Sequence, residues 1–536
     1  MTNPSDSKTN LSKPARIPLL LIALGIITAL IWITYLVWGH RLLTDIYNGE
    51  LLHSLAPDKQ KMPLSRYLRI ADVSLLIANG IGLLIASAAN SVLSRTVRWL
   101  ICFALCILLF QVSLFLTRPA GWYDSPARSA LRFIRMREGM DSWHPMFEAY
   151  GYAAQTHDTP LYEEIFFNHK TKFQYAPTSL LFTPMLTELA ELKQNDSHIT
   201  GNARYISWAF VLVTMLFTFL ILRLGFIRQG LCPASLRHPD TIALLCTVVW
   251  LAFLFHPVMR SYHLGQLQTW INGLIPIAIF LWMTSNYFGS GLLIGLVCLM
   301  KPTYALVLLW GAINKRWHFL LGAFITLAIG LGASLWLFGL EDHLDYLHVL
   351  SFLTKHGESY FPNQSMNGLL NRLFMNGANL NWEPNIFPPF HPIVYWGSTL
   401  SSLALIAFLL YGARKRSNLP NTLDICLALL TATLASPIAW EHHYGILLPI
   451  YALALPYILK EQQNSRLLAW FGLSYALTSS FIPAAMKAAS LTGLNLIQSY
   501  LYFGALILLV ILYRIKPLPD SARGSKCASN SNGSCR

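Results

Sequence analysis

HFLLGAFITLAIGLGASLWLF, residues 318–338, is an apolar run long enough to cross a bilayer as a helix. It follows the basic turn Asn314-Lys315-Arg316 and gives way to a long polar segment at Gly339, so one end reads as cytoplasmic and the other as outside. Lipid offers the backbone no hydrogen bonds, so such a run has to satisfy its own amides, and a helix does that. The same grammar repeats along the chain, with apolar runs at 19–38, 71–89, 99–116, 206–222, 242–255, 270–283, 289–313, 393–411, 423–434, 446–459, 467–481 and 496–512. Hydrophobic residues make up 54% of the 536 residues and charged ones only 12%, about half the share of a soluble globule. The chain therefore reads as an all-α polytopic integral membrane protein.

Lys and Arg number 39 against 25 Asp and Glu, a formal excess of +14. In a polytopic protein such an excess marks cytoplasmic turns facing anionic lipid, and no basic-aromatic patch points to nucleic acid. Lys8, Lys13 and Arg16 place the tail 1–18 in the cytoplasm, ahead of a retained signal-anchor at 19–38. Arg223, Arg228, Arg237, the run Arg414-Lys415-Arg416, Arg514 and Lys516 mark further cytoplasmic ends. This reading divides the chain into a tail, a multi-spanning domain over 19–516 with extracytoplasmic loops at 117–177 and 339–392, and a disordered cytoplasmic tail at 517–536. Residues 178–189 are too short to cross unaided, which predicts a re-entrant, paired or surface-lying helix. Lys301-Pro302 interrupts 289–313, which predicts a broken or re-entrant helix. The eight cysteines are scattered without the spacing of a disulfide framework or metal site.

Against this background residues 140–177, MDSWHPMFEAYGYAAQTHDTPLYEEIFFNHKTKFQYAP, form a polar, acidic and aromatic island. A long loop of this kind is more often an active site or lid than a connector. Just ahead of it, 125–137 places basic and apolar residues at helical spacing, which suits either a helix in the headgroup layer or a solvated linker. Asp141 opens the island and has two readings, a general base or the N-cap of a helix over 142–152. Glu138, Asp124 and Glu148 are substitutes for it. His442 and His443 follow Ser436-Pro437 and Trp440; adjacent histidines diverge on a helix and make poor joint metal ligands, but one of them can hydrogen-bond a substrate. Trp440 also suits an interface anchor. Lys301 among apolar residues either faces a polar cavity or snorkels to a headgroup. On the topology above, Asp141, Gln266, the loop holding Asn363, and His442/His443 share the outer side. No Gly-rich nucleotide fingerprint or Walker loop is present, and no sustained repeat suggests a transporter.

Several of these pieces, in order, resemble glycosyltransferase family 87: Asp141 with the Tyr/Ala-rich run and Leu161-Tyr162 after it, Phe173-Gln174-Tyr175-Ala176-Pro177, Gly265-Gln266, Lys301-Pro302, Asn363 and Ser365 through Arg372, and Ser436-Pro437 through Trp440 to His443. Gln268 departs from the pattern, which has Asn after the Gly-Gln. The family belongs to the GT-C superfamily of polyprenyl-phosphate-sugar-dependent membrane enzymes and includes mannosyltransferases. The resemblance implies a GT-C-like helical bundle with long outer loops. It also implies transfer of a hexose such as mannose, or a pentose, from a polyprenyl-phosphate donor to a lipid or glycan acceptor at the extracytoplasmic face of the plasma (inner) membrane. Asp141 would be the base and His442/His443 would assist; Tyr175, Gln266, Lys301, Asn363, Ser365, Arg372 and Trp440 would bind substrate. The reaction would invert the sugar and need no metal or other cofactor. Competing expectations are a lipid-linked-sugar flippase or transporter, and a glycan ligase or polymerase.

Overall fold

The computed structural model describes residues 93–116, 126–155, 158–189, 198–233, 235–382, 386–416, 421–460 and 465–515. The runs expected to span at 19–38 and 71–89, and both terminal tails, lie outside the described residues. The chain divides into two compact units, 1–116 with 232–247, and 117–231 with 248–536. In the first, α1 (Arg95–Leu116) starts beside Asp240, whose Oδ1 accepts the Ser94 amide at 2.8 Å. The helix Pro239–Leu254 begins in this unit and ends in the second.

The second unit holds α2 (Pro126–Ile134), α3 (Trp143–Ala153), α4 (Thr183–Leu189) and α5 (Arg204–Arg228). After α6 (Pro239–Leu254) come α7 (His256–Leu264), α8 (Gln268–Met283), α9 (Tyr287–Met300), α10 (Ala305–Ile313) and α11 (Trp317–His356). The remainder is α12 (Met366–Leu373), α13 (Pro392–Arg416), α14 (Thr422–Leu434), α15 (Leu447–Lys460), α16 (Ser465–Ser479), α17 (Pro483–Ala489) and α18 (Tyr500–Arg514). Among the described residues no strand forms; one isolated bridge joins Asn363 to Trp440.

Among the described residues six helical segments are long and apolar enough to cross a membrane: Arg95–Leu114, Gly201–Arg228, Trp317–His356, Pro392–Gly412, Glu441–Lys460 and Asn495–Arg514. Two bent pairs, α6 with α7 at 59° and α16 with α17 at 81°, pass the same test together. Burial separates their roles. Only 17% of the apolar window of Pro392–Gly412 and 22% of that of Trp317–His356 is covered by protein, against 89% for Glu441–Lys460. The first two turn large apolar side chains such as Phe324, Trp336, Trp396 and Leu400 outward, as a lipid-facing helix does, while the third is the core. The protein is an all-α polytopic membrane protein.

The helices meet through small residues. A Cβ added to Gly291 of α9 would lie 1.9 Å from the Phe319 carbonyl, and one on Gly322 of α11 would lie 2.2 Å from that of Phe288. Helices in lipid have no hydrophobic driving force to associate, and backbones this close gain van der Waals contact instead.

Breaks in the helices build the site. Pro302 forces the preceding Lys301 into an extended conformation (φ −148°, ψ 97°), so α9 stops there and a 3₁₀ turn, Pro302–Tyr304, starts the next helix. Residues 178–189 fold as a 3₁₀ turn, Pro177–Phe182, and the short α4, with no crossing. The segment after Gly339 differs from the long loop expected from its polarity. α11 breaks at Gly339 and then continues to His356, because Asp342, Asp345, Tyr346, Val349 and Leu353 share a buried face while Leu340, Leu344 and Leu347 share an exposed one. The buried acids have partners: Asp342 Oδ1 accepts the Leu161 amide at 2.9 Å, and Asp345 Oδ2 accepts those of Tyr162 and Glu163 at 2.8 and 3.0 Å. Two carboxylates thus cap the one-turn π-helix Glu163–Asn168 and pin the polar island onto α11.

Candidate active site

Asp141 is placed by backbone pairing before any side chain acts. Gly139, Asp141 and Ser142 donate their amides to the carbonyls of His263, Leu264 and Gly265 at 3.2, 2.9 and 3.0 Å. The pairing needs glycine at 265, which ends α7 with φ +73° and whose added Cβ would sit 1.9 Å from the Gly139 carbonyl oxygen. Residue 266 then falls beside residue 141, and Gln266 Nε2 donates to Asp141 Oδ2. Ser142 Oγ donates to Gln266 Oε1 at 2.7 Å, and the Tyr175 hydroxyl lies 3.1 Å from the same oxygen and 2.6 Å from Ser142 Oγ. Gln266 is therefore held with its amide group aimed at the carboxylate. The N-cap reading of Asp141 is not what forms: α3 is preceded by Ser142, and no side chain makes a capping bond there.

Asp141 opens into a cavity of about 760 Å³ within the second unit. Of the residues expected from the sequence, Asp141, Tyr175, Gln266, Lys301, Trp440, His442 and His443 all line it. Lys301 arrives at the α9 break and donates to Gln268 Oε1 at 3.4 Å; Gln268 Nε2 in turn donates to Asn272 Oδ1 at 3.0 Å. The position that departs from the family pattern thus orients the lysine. His442 and His443 lie on the 3₁₀ turn Glu441–Ile446 leading into α15. His443 Nδ1 accepts the Trp440 amide at 3.1 Å, which leaves its proton on Nε2. His442 Nε2 is buried with no hydrogen-bond partner.

Asn363, Ser365 and Arg372 do not line the cavity; they stand behind its wall. Asn363 Nδ2 donates to the Glu358 carbonyl at 2.8 Å and its Oδ1 accepts the Ala439 amide at 3.0 Å. Ser365 Oγ donates to the Pro437 carbonyl at 2.8 Å and caps α12 through the Gly368 amide. Arg372, wholly buried, donates to the Ser359 and Asn363 carbonyls and to Ser499 Oγ. Their work is to fix 358–363 against 436–441, the segment that delivers Trp440 and the histidines.

Three cavity residues carried no signal in the sequence: Arg260, Glu441 and Lys172. Arg260 Nε donates to Glu441 Oε1 at 2.9 Å, and His256 Nε2 lies 3.4 Å from Glu441 Oε2. Lys172 pairs with Glu358 at 3.1 Å and packs over the Trp382 and Phe387 rings at 3.9 and 4.2 Å. With Lys170 and Lys301 the cavity has four cations against the acids Asp141 and Glu441. Such a site suits a phosphate. Asp141 faces the cavity yet is ringed by protein, and this desolvation pushes its carboxyl above the ordinary carboxylate range; Arg260 and the Gln266 amide pull it part of the way back. Among the described residues no group of three or more His, Cys, Asp or Glu side chains is placed to hold a metal ion.

Glu138 points away from the cavity. Its Oε1 accepts from Trp143 Nε1 at 2.8 Å and Ser207 Oγ at 2.7 Å, while Oε2 has no partner, and burial pushes its carboxyl up to about 8. Because the folded form holds a proton that the unfolded chain releases near pH 4.5, stability should fall as pH rises from about 4.5 to about 8 and then level off. Glu138→Gln should keep fold and turnover at neutral pH and remove that contribution to the slope. Thermal unfolding in detergent from pH 5 to 9, parent against variant, checks this.

Residues 173–437 match the family model described as glycosyltransferase family 87. A polyprenol-phosphate-mannose-dependent alpha-(1-2)-phosphatidylinositol pentamannoside mannosyltransferase of Mycobacterium tuberculosis (strain CDC 1551 / Oshkosh) is 26% identical over 247 residues, 46% of this chain and 52% of that protein. The protein of the same name from Mycolicibacterium smegmatis (strain ATCC 700084 / mc(2)155) is 25% identical over 350 residues, 64% of this chain and 72% of that one. The match spans about half the length of the first relative. No solved structure matches the chain. Over residues 173–437 the chain is similar to glycosyltransferase family 87, and that stretch carries Tyr175, Gln266 and Lys301 of the cavity.

Proposed function

We propose that the protein transfers a sugar from a polyprenyl-phosphate donor to a lipid or glycan hydroxyl at the extracytoplasmic face of the plasma membrane. Mannose is the first candidate, because both relatives are named for a polyprenol-phosphate-mannose donor. The observation that carries the reading is Asp141, held by Gln266 at the wall of a cation-rich cavity in a membrane protein. The acceptor oxygen attacks the anomeric carbon and its proton passes to Asp141. The bond from that carbon to the phosphate oxygen breaks, and polyprenyl phosphate leaves with both electrons. Lys301, with Arg260 nearby, stabilises the charge that grows on the departing phosphate. His442 Nε2, buried and unpartnered, is available to a sugar hydroxyl or phosphate oxygen. A direct displacement of this kind inverts the sugar and needs one carboxylate.

The placement of cations along the helices supports the outer face. Lys315 and Arg316 stand between the end of α10 and the start of α11. The cavity residues of this region, Pro302 and Thr303 before α10 and Tyr346 to Thr354 late in α11, are at the opposite ends. With the basic turn inside, the cavity is outside. The test is to incubate the purified protein in vesicles with a panel of polyprenyl-phosphate sugars and a lipid-glycan extract. Acceptor-dependent release of polyprenyl phosphate from one donor is expected. Release from none of them would leave transport of the lipid-linked sugar as the better reading.

A further inference from the structure

Some residues that line the cavity also reach the outer surface of the protein, and on one side these are Pro302 and Thr303, next to Lys301. From there the chain runs into α10, and Pro302, Ala305, Leu309 and Ala312 are all exposed, while Tyr304, Val307, Trp310 and Gly311 are buried. The spacing of the exposed set, i, i+3, i+7, i+10, is that of one helix face. At 1.5 Å per residue it makes an apolar strip about 15 Å long. No ionisable side chain interrupts it between Lys301 and Lys315.

We infer that the isoprenoid chain of the donor leaves the cavity over Pro302 and lies along this face of α10, so that the donor enters sideways from the bilayer with its phosphate at Lys301. The inference rests on the proposed polyprenyl-phosphate donor. Its basis is that a molecule with an anionic head and a long hydrocarbon tail requires a cation at the head of an apolar strip, and Lys301 with the α10 face supplies that order. A second exposed row, Leu340, Leu344, Leu347 and Leu350, also reaches the cavity along α11. It is a poorer host. Exposed Glu341 and His348 interleave with its leucines, which suits the headgroup layer, and the cation on that side, Lys172, which packs over Phe387 beside Phe352, is already paired with Glu358 at 3.1 Å. A tail already dissolved in lipid gains little affinity from a protein groove. The strip therefore acts by orientation, setting the anomeric carbon in line with Asp141.

Two measurements test this. A photoreactive benzophenone side chain placed at Leu309, Leu347 or Phe324 in vesicles containing polyprenyl phosphate should crosslink the isoprenoid strongly from Leu309. Leu347 reports the competing row, and Phe324 an exposed lipid-facing position on α11. A yield at either of those equal to or above that at Leu309 overturns the inference. In the second, Ala305→Trp fills the strip without touching the cavity. It should lower kcat for a long-chain donor about tenfold through misalignment and leave the geranyl analogue unchanged. Equal effects on both donors, or none on either, overturn it. Crosslinking uses polyprenyl phosphate alone, so a protein that transfers no sugar at all would defeat the proposed function without deciding where the chain lies.

Discussion

Asp141→Asn, folded and correctly inserted, is expected to bind donor normally and to transfer sugar about a hundred- to ten-thousand-fold more slowly than the parent protein. The substitution keeps the size and one carbonyl-type oxygen, so the bond from Gln266 Nε2 can persist, and the backbone pairing of 139–142 with 263–265 does not involve the side chain. Nor does the variant lose a helix cap, since Asp141 provides none. What disappears is the oxygen that takes the acceptor proton. The pH profile gives a second readout. Transfer requires the carboxylate, so the rate should fall as pH drops through the carboxyl's own pKa. Desolvation in the cavity places that limb above the ordinary carboxylate range, even with Arg260 nearby. The groups able to distort it are Arg260, Glu441, His256, Tyr175 and Tyr360, which share that wall or couple to it. The Asn variant should show no such limb. Near-normal turnover would remove Asp141 from the chemistry, and Glu138 could not replace it, since its carboxyl is enclosed by Trp143 and Ser207.

What the sequence conveyed and what it hid divide along physical lines. Apolar runs report directly on burial in lipid or protein, so the helices at 206–222, 393–411 and 423–434 match α5, α13 and α14 closely. A proline after a lysine reports on backbone geometry, and the chain breaks at Lys301 as that pair requires. Polar residues report on neither. Asn363, Ser365 and Arg372 have the same character whether they meet a substrate or a carbonyl of their own chain, and here they meet carbonyls. The pairing of Arg260 with Glu441 joins residues 181 positions apart, which no local pattern encodes. In 340–356 the helical period was masked because its buried face uses aspartates, and these are satisfied only by the amides of Leu161, Tyr162 and Glu163 from another part of the chain.

The second large effect is expected at Lys301. Lys301→Met keeps the length and apolar stem of the side chain while removing its charge, and the backbone break at Pro302 does not depend on either. A charge-assisted hydrogen bond to phosphate is worth about 1.5–3 kcal/mol, so the donor KM should rise roughly ten- to a hundredfold. A further fall in kcat is expected, because the phosphate carries more charge as it departs than when bound as the sugar diester. Insertion and thermal stability should hold, since the lysine's one described hydrogen bond is the 3.4 Å contact to Gln268 and a thioether is easier to keep in this apolar setting than an ammonium. Lys301→Arg, which restores the charge with a different shape, should recover part of the loss in KM. The comparison separates the two readings of this residue. A snorkelling lysine would leave both kinetic constants unchanged in the Met variant. A phosphate-binding one would show the loss in donor use together with its partial rescue by arginine.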